Sequence, residues 1–70
     1  MKVRESWVQV RDDLATFGVA DASIEAETIV RHGLSLDRTQ FFAELDRQIG
    51  TDEMASINEL AARRKVGEPL

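Results

Sequence analysis

The sequence predicts an all-α fold, a compact bundle of four to five helices, mostly antiparallel and joined by short connections. Apolar residues recur at steps of three and four along the chain, which is the helical period, and they do not alternate with polar residues as in a half-buried strand. Aspartate, threonine and glycine separate the apolar stretches, and these residues are typical of helix ends. Because the connections are short, neighbouring helices are expected to run antiparallel.

The first predicted helix covers Lys2 to Phe17 and carries a single apolar stripe. The members of the stripe lie at steps of four, three, four and three: Val3, Trp7, Val10, Leu14 and Phe17. Gly18 follows, and a glycine in the left-handed conformation at that point is expected to end the helix. We expect Trp7 to pack in the core, the usual place of a large aromatic side chain in such a stripe, and not to stack on a nucleic-acid base.

A second helix is predicted between Asp21 and Gly33. The Asp21 carboxylate is expected to accept hydrogen bonds from the first-turn amides, and Gly33 is expected to end this helix as Gly18 ends the first. Its buried side is formed by small and branched apolar residues: Ala22, Ala26, Ile29 and Val30. Glu27 and Arg31 lie one turn apart and form a favourable ion pair.

Two more helices are predicted in the second half of the chain. Asp37 is expected to cap the third helix and Gly50 to end it, with Phe41, Phe42, Leu45 and Ile49 at helical spacing. Thr51 is expected to cap the fourth helix, whose apolar side contains Met54, Ile57, Leu60 and Ala61. Glu59 and Arg63 lie one turn apart on its exposed side, where an ion pair contributes little stability.

Composition excludes several classes of function. A chain of 70 residues has room for one domain, which buries only roughly 60% of the surface that its unfolded form exposes. There is no cysteine, and the single histidine, His32, cannot build a metal site alone. The net charge of −4 disfavours nucleic-acid binding. The chain lacks a signal peptide and the roughly 20 apolar residues of a membrane span, so we expect a cytoplasmic protein.

The sequence also lacks the residue patterns of catalysis and cofactor binding. The glycines are isolated and follow predicted helices, whereas a phosphate-binding loop needs glycines clustered before a helix. Each carboxylate is accounted for as a cap, a first-turn charge or a solvated side chain, so no acid and base pair is evident. We therefore expect no catalytic, cofactor-binding or metal-binding residue in this segment, which is not an enzyme by itself.

The C-terminal stretch from Leu60 to Leu70 indicates a domain boundary. Three basic residues, Arg63, Arg64 and Lys65, end the fourth helix, where cations interact favourably with the helix dipole. Gly67 and Pro69 then prevent the helix from continuing. We interpret residues 1–66 as one helical domain and residues 67–70 as the start of a linker, so that the chain is a piece of a larger protein.

With these elements in place, the sequence resembles the N-terminal domain of the HemK/PrmC family, the peptide chain release factor N5-glutamine methyltransferases. The resemblance covers about Leu14 to Leu70. It includes Phe17-Gly18-Val19, the run SIEAE at residues 23–27, and the run RRKVGEPL at residues 63–70, which is similar to the family's segment before its catalytic domain. Ile29-Val30 departs from the family's usual leucine pair but keeps the apolar volume.

The resemblance implies a function that composition and spacing do not. Members of the family are similar in having a helical N-terminal domain, a hairpin linker and a Rossmann-like domain that binds S-adenosylmethionine and carries an Asn-Pro-Pro-Tyr motif. They methylate the glutamine of the Gly-Gly-Gln motif in peptide chain release factors. By this resemblance, the present segment is expected to dock the release factor, S-adenosylmethionine is expected only in the parent enzyme, and Arg63 and Arg64 are the predicted partner contacts.

Three other functions compete with this interpretation. The first is a stand-alone helical adaptor or dimerisation module, since small bundles host many functions. The second is a carrier protein, because Ser35 lies near the middle of an acidic helical chain, although Leu34 stands where a carrier has aspartate. The third, a helix-turn-helix DNA-binding domain, is disfavoured by the acidic charge balance.

Overall fold

A computed structural model describes residues 1–67, which fold into an all-α bundle. The helices are α1 (Val3–Phe17), α2 (Ala22–Leu34), α3 (Arg38–Ala43) and α4 (Thr51–Lys65). Over residues 1–67 the only strand-like pairing is an isolated bridge between Lys2 and Gln48. The predicted fold class is therefore confirmed. In the described part of the chain, every helix is too short or too polar to cross a membrane.

The core lies between the three long helices, with α2 packed against both α1 and α4. Its members are apolar residues from every helix, and they include about half of the residues in the predicted stripes: Val3, Val10, Leu14, Ala26, Ile29, Val30, Leu34, Phe41, Ile57 and Ala61. Phe17 was expected in the core but is 62% exposed. It is the last residue of α1, and Val19 packs against the core after the chain turns at Gly18.

The turn at Gly18 follows the predicted pattern. Gly18 has a φ of 96°, in the left-handed region, and its amide donates to the carbonyls of Leu14 and Ala15. The next amide, that of Val19, donates to the Leu14 carbonyl at 3.0 Å. These bonds satisfy carbonyls that the end of a helix would otherwise leave without partners.

Gly33 does not end α2, so this prediction is wrong. The helix continues to Leu34, and Ser35 takes the left-handed position with a φ of 57°. Gly33 instead faces α4, where a Cβ atom added to it would lie 2.5 Å from Cγ1 of Ile57. A glycine is needed here because α2 and α4 approach closely, which is the other common reason for a glycine in a helix.

Asp21 occupies the N-cap position of α2 but makes no side-chain capping bond, so the predicted cap is also wrong. Its backbone is left-handed, with φ 54° and ψ 41°. An N-cap residue normally has an extended backbone, which aims its side chain at the first-turn amides. The Asp21 backbone carbonyl accepts the first bond within the helix, from the amide of Glu25 at 3.0 Å, as an N-cap carbonyl ordinarily does.

The third helix is much shorter than predicted. Asp37 caps it as expected, since its carboxylate accepts from the amide of Gln40 at 2.7 Å while the Gln40 side chain accepts from the amide of Asp37 at 3.0 Å. However, α3 ends at Ala43, and Leu45 and Ile49 lie outside it.

Residues 44–49 leave the helical path because they pair with the start of α1. The carbonyl of Leu45 accepts from the amide of Arg4, and the carbonyl of Arg47 accepts from the amide of Val3, both at 2.9 Å. The amide of Ile49 donates to the carbonyl of Met1 at 2.8 Å. The first amides of a helix have no partner within the helix. In this bundle, a distant stretch of backbone supplies partners for α1.

Helix α4 begins one residue earlier than predicted, with Gly50 and not Thr51 at the N-cap. The Glu53 carboxylate accepts from the amide of Gly50 at 2.9 Å and from the Arg47 guanidinium at 3.1 Å. The hydrogen bond from the Gly50 amide, followed by the one from Arg47, lowers the pKa of Glu53 below its usual value. One carboxylate therefore joins the start of α4 to the segment that holds α1.

We expect Glu53→Gln to reduce stability at neutral pH by up to about 1 kcal/mol, because a neutral amide accepts these bonds more weakly than a carboxylate. The folded pKa is lowered, so the contribution is complete above the unfolded value near 4.5 and is lost as pH falls through the folded value. Urea unfolding at pH 7 and pH 2.5 measures this difference. It should shrink at the lower pH, and a difference that persists there would contradict the assignment.

Candidate partner-binding surfaces

The basic end of α4 was the predicted contact surface, and its first arginine is exposed. Arg63 donates from Nη2 to Oε1 of Glu59 at 2.6 Å, one turn earlier in the same helix, as the spacing predicts. Its side chain is 55% exposed. A partner's carboxylate can therefore approach this guanidinium from solvent.

The next two basic residues are joined to other helices. Arg64 donates from Nε and Nη2 to the two carboxylate oxygens of Glu25 in α2, at 3.1 and 3.4 Å. Lys65 donates from Nζ to Asp13 in α1 at 2.7 Å. The Arg64 and Lys65 side chains are 28% and 29% exposed. We call these two contacts the α4 end pairs.

These contacts refine the interpretation of the basic cluster. Arg63, Arg64 and Lys65 do occupy the last turn of α4, where cations complement the helix dipole. Each also has an intramolecular acid, which a binding partner would have to share or displace. Arg63 and Arg64 as partner contacts stay predictions. Glu68, Pro69 and Leu70, where most of the linker is predicted, lie outside the described residues.

A second surface is an apolar groove beside the start of α1, which we call the Trp7 groove. It is lined by residues of α1 and of the segment after α3: Arg4, Glu5, Trp7, Val8 and Leu45. The Trp7 ring packs against the core as expected, edge-on to the ring of Phe41 at 5.3 Å between centroids. Its indole Nε1 donates to the carbonyl of Ser23 at 3.0 Å, which fixes the ring in place.

Aromatic and charged side chains extend beyond this groove. The Phe42 ring is 44% exposed and lies edge-on to Trp7 at 5.9 Å, with the Arg38 guanidinium 5.6 Å from its centroid. Arg4 of the groove pairs with Asp46 at 3.0 Å. Cations that pack on exposed aromatic rings shield part of them from water.

Sequence reasoning did not identify the Trp7 groove, although it had one usable signal. Val8 is apolar but falls off the predicted stripe of α1, so an exposed apolar residue next to Trp7 could have been noted. Leu45 was assigned to the third helix. Its place in the groove depends on the pairing of residues 44–49 with the start of α1, which no local pattern encodes.

The structure also shows where the side chains lie that could bind a metal or carry a modification. No three side chains among His, Cys, Asp and Glu in residues 1–67 come together as a metal site. His32 is exposed in the last turn of α2. Ser35, the residue that a carrier protein would modify, is exposed and forms the C-cap of α2.

Comparison with known proteins identifies the family. A family model for the PrmC N-terminal domain matches residues 5–70. The chain belongs to this family. The match to the PrmC N-terminal domain includes α2, α3, α4 and nearly all of α1, so it extends the resemblance noted from Leu14 onward. The resemblance predicted from the sequence is therefore confirmed.

One curated relative of this PrmC N-terminal domain is the release factor glutamine methyltransferase of Geobacter sulfurreducens. It is 37% identical over 60 residues, which are 86% of this chain and 21% of that protein. The chain thus spans about a fifth of the length of the relative it matches. No solved structure gives a significant match.

Proposed function

We propose that this domain recognises peptide chain release factors for a protein-(glutamine-N5) methyltransferase. The match to the PrmC N-terminal domain over residues 5–70 carries the proposal, and the name of the Geobacter sulfurreducens relative supports it. In the parent enzyme, a catalytic domain after the linker at residues 67–70 binds S-adenosylmethionine and methylates the Gly-Gly-Gln glutamine. Translation termination places this reaction in the cytoplasm.

The contribution of such a domain is binding energy and orientation. Contacts made far from the reacting atoms hold a substrate where its reactive group meets the catalytic groups. A bundle with α2 packed on both α1 and α4 is a rigid support for such contacts. In this proposal, Arg63 contacts the release factor, because its guanidinium is more exposed than that of Arg64, the other predicted partner contact.

Titration of the ¹⁵N-labelled 70-residue chain with a bacterial release factor tests the proposal. Amide shifts should concentrate on one face and include the end of α4 near Arg63. Shifts confined to the Trp7 groove would support recognition but move its surface away from the predicted arginines. Two results together would overturn the proposal. One is the absence of amide shifts at high release-factor concentration, and the other is a gene that encodes no Asn-Pro-Pro-Tyr motif beyond Leu70.

Substitution of the arginines separates binding from folding. Arg63→Ala is expected to change stability by less than about 0.5 kcal/mol, because an exposed ion pair contributes little. Its release-factor affinity should fall about fivefold, which corresponds to about 1 kcal/mol. Isothermal titration calorimetry and thermal unfolding of the same samples give the two quantities. A shift of many degrees in the Tm of the Arg63→Ala, Arg64→Ala double variant would assign these residues to folding.

Arg11→Ala is the matched control for Arg63→Ala. Arg11 is also an exposed arginine in an ion pair within one helix, to Asp12 in α1 at 3.1 Å. Its loss removes the same charge elsewhere on the surface. Equal loss of affinity in both variants would indicate a general effect of net charge and contradict a specific contact at Arg63.

Sedimentation equilibrium of the 70-residue chain tests the adaptor or dimerisation alternative. A monomer at the concentrations of the titration agrees with the recognition proposal. A tight homodimer that does not bind the release factor would favour the alternative.

A further inference from the structure

We propose that Arg64 and Lys65 are positioning residues that set the direction in which the chain leaves α4. Through the α4 end pairs with Glu25 and Asp13, they hold the recognition domain at one angle to the catalytic domain that follows. This inference rests on the proposed function, because an angle between domains matters only if the second domain is present. It assigns Arg64 a role within the chain in place of the predicted contact with the partner.

The two α4 end pairs connect one helical turn to two different helices. Glu25 lies in the first turn of α2, and Asp13 lies in the second half of α1. A single contact would let the end of α4 rotate about it, whereas contacts to two separate supports remove that freedom. Helix ends ordinarily fray, and this one is held on two sides.

The backbone turn that starts the exit is contiguous with the held residues. The amide of Val66 donates to the carbonyl of Ala62 at 3.3 Å, and the amide of Gly67 donates to the carbonyl of Arg64 at 3.1 Å. Gly67 has a φ of 89°, a left-handed value that glycine adopts easily. The residue that binds Glu25 through its side chain therefore also anchors the turn through its carbonyl.

Stability alone is a poor explanation of the α4 end pairs. The four side chains are 28% to 50% exposed, so water and salt weaken both ion pairs, and their contribution to folding is modest. Their geometry differs from that of Arg63 and Glu59, which lie in the same helix and cannot orient it against the bundle. What the end pairs add is a fixed direction for the last turn of α4.

A fixed direction matters when recognition and chemistry take place on different domains. A release factor held on this bundle brings its glutamine to the methyl donor only if the two domains keep a suitable angle. Loss of orientation far from the reaction, by as little as about 1 Å, can reduce a rate by about a hundredfold. We therefore expect loss of the α4 end pairs to reduce methyl transfer while leaving docking intact.

The test removes the acids and keeps the cations. In the full-length gene product, Asp13→Asn with Glu25→Gln is expected to lower kcat/KM for release-factor methylation by about tenfold or more. In the 70-residue chain, the same double variant should bind the release factor with unchanged affinity. Its amides at residues 64–67 should exchange faster, whereas core amides should keep their protection.

Two controls make the test specific. Asp12→Asn frees the exposed Arg11 within α1 and should leave kcat/KM unchanged. Glu25→Arg should lower kcat/KM, and adding Arg64→Glu should restore it by rebuilding the pair with reversed charges. A direct contact between Arg64 and the release factor would not be restored in this way. If the Asp13→Asn, Glu25→Gln variant does not fold, the charge-reversed pair of Glu25→Arg with Arg64→Glu still tests the inference.

The remaining outcomes separate this inference from the proposed function. Methylation at the wild-type rate by the Asp13→Asn, Glu25→Gln variant overturns the inference alone. Weaker binding of the release factor by the isolated double variant overturns it too, because the two acids would then belong to docking. A wild-type full-length product that transfers no methyl group to release factors overturns the proposed function, and the inference falls with it.

Discussion

Replacing Gly33 with alanine is expected to destabilise the domain by about 2 kcal/mol and to lower its Tm by about 10 °C. The new Cβ atom would lie 2.5 Å from Cγ1 of Ile57 and 3.3 Å from the Ile57 backbone nitrogen and Cα. Ile57 is fully buried, and its branched side chain has few rotamers in a helix. Helices α2 and α4 must therefore separate, which outweighs the gain of up to about 1 kcal/mol in helix propensity.

Thermal and urea unfolding of four proteins tests this contact: the wild type, Gly33→Ala, Ile57→Ala and the double variant. If the new methyl group collides with the Ile57 side chain, Gly33→Ala should cost less in the Ile57→Ala background. This difference is the coupling energy of a double-mutant cycle. A Gly33→Ala variant as stable as the wild type would show that the two helices have room for a side chain.

Phe41→Ala should have the largest effect of any single substitution considered, a loss of about 3 to 5 kcal/mol. Phe41 is 0% exposed, and its ring lies edge-on to those of Trp7 and Phe42, at 5.3 and 5.2 Å between centroids. A 70-residue domain has a total stability of roughly 3.5 to 10 kcal/mol. The loss is comparable to the whole stability at the lower end of that range, so the variant should unfold at a much lower temperature than the wild type, which thermal unfolding followed by near-UV and far-UV circular dichroism will show.

Phe42→Ala is the matched control, since it removes the same side chain at the neighbouring position. Phe42 is 44% exposed, so its truncation removes less buried apolar area and should cost about 1 kcal/mol. Equal losses in the two variants would mean that burial in the core does not explain the effect at Phe41. A small loss of stability in both variants would show that the domain is stabilised mainly by the packing of α1, α2 and α4 and only weakly by the aromatic residues of α3.

Local periodicity predicted the core well because each stripe depends on residues within the same helix. Val3, Val10 and Leu14 of α1 are buried at the spacing that the sequence shows. Asp37 was predicted as a cap for the same reason, since the capping bonds with Gln40 span three residues. Features set by neighbours along the chain could be inferred from the sequence.

Features set by residues far apart in sequence could not be predicted. Gly33 follows a long apolar pattern and has the same local context as a terminating glycine, so only the position of Ile57 reveals its packing role. The end of α3 depends on the amides of Val3 and Arg4, which have no partner within α1 and donate to the distant carbonyls of Arg47 and Leu45. In both cases a contact between distant elements decided between two locally equal conformations.

The same distinction applies to the candidate binding surfaces. The pair of Arg63 with Glu59 follows from a spacing of four residues and was predicted. The partners of Arg64 and Lys65 lie on other helices, and nothing near residue 64 or 65 points to them. The basic cluster could therefore be located from the sequence, but the different contacts of its three members could not.

The pairing of residues 44–49 with the start of α1 has a consequence for synthesis on the ribosome. Val3 and Arg4 are made early, yet the carbonyls that accept from their amides belong to Arg47 and Leu45. At translation rates of about 5 to 20 residues per second, roughly 2 to 9 s pass before those partners are added. Helix α1 is thus completed at its N-terminal end only after α2 and α3 have been synthesised.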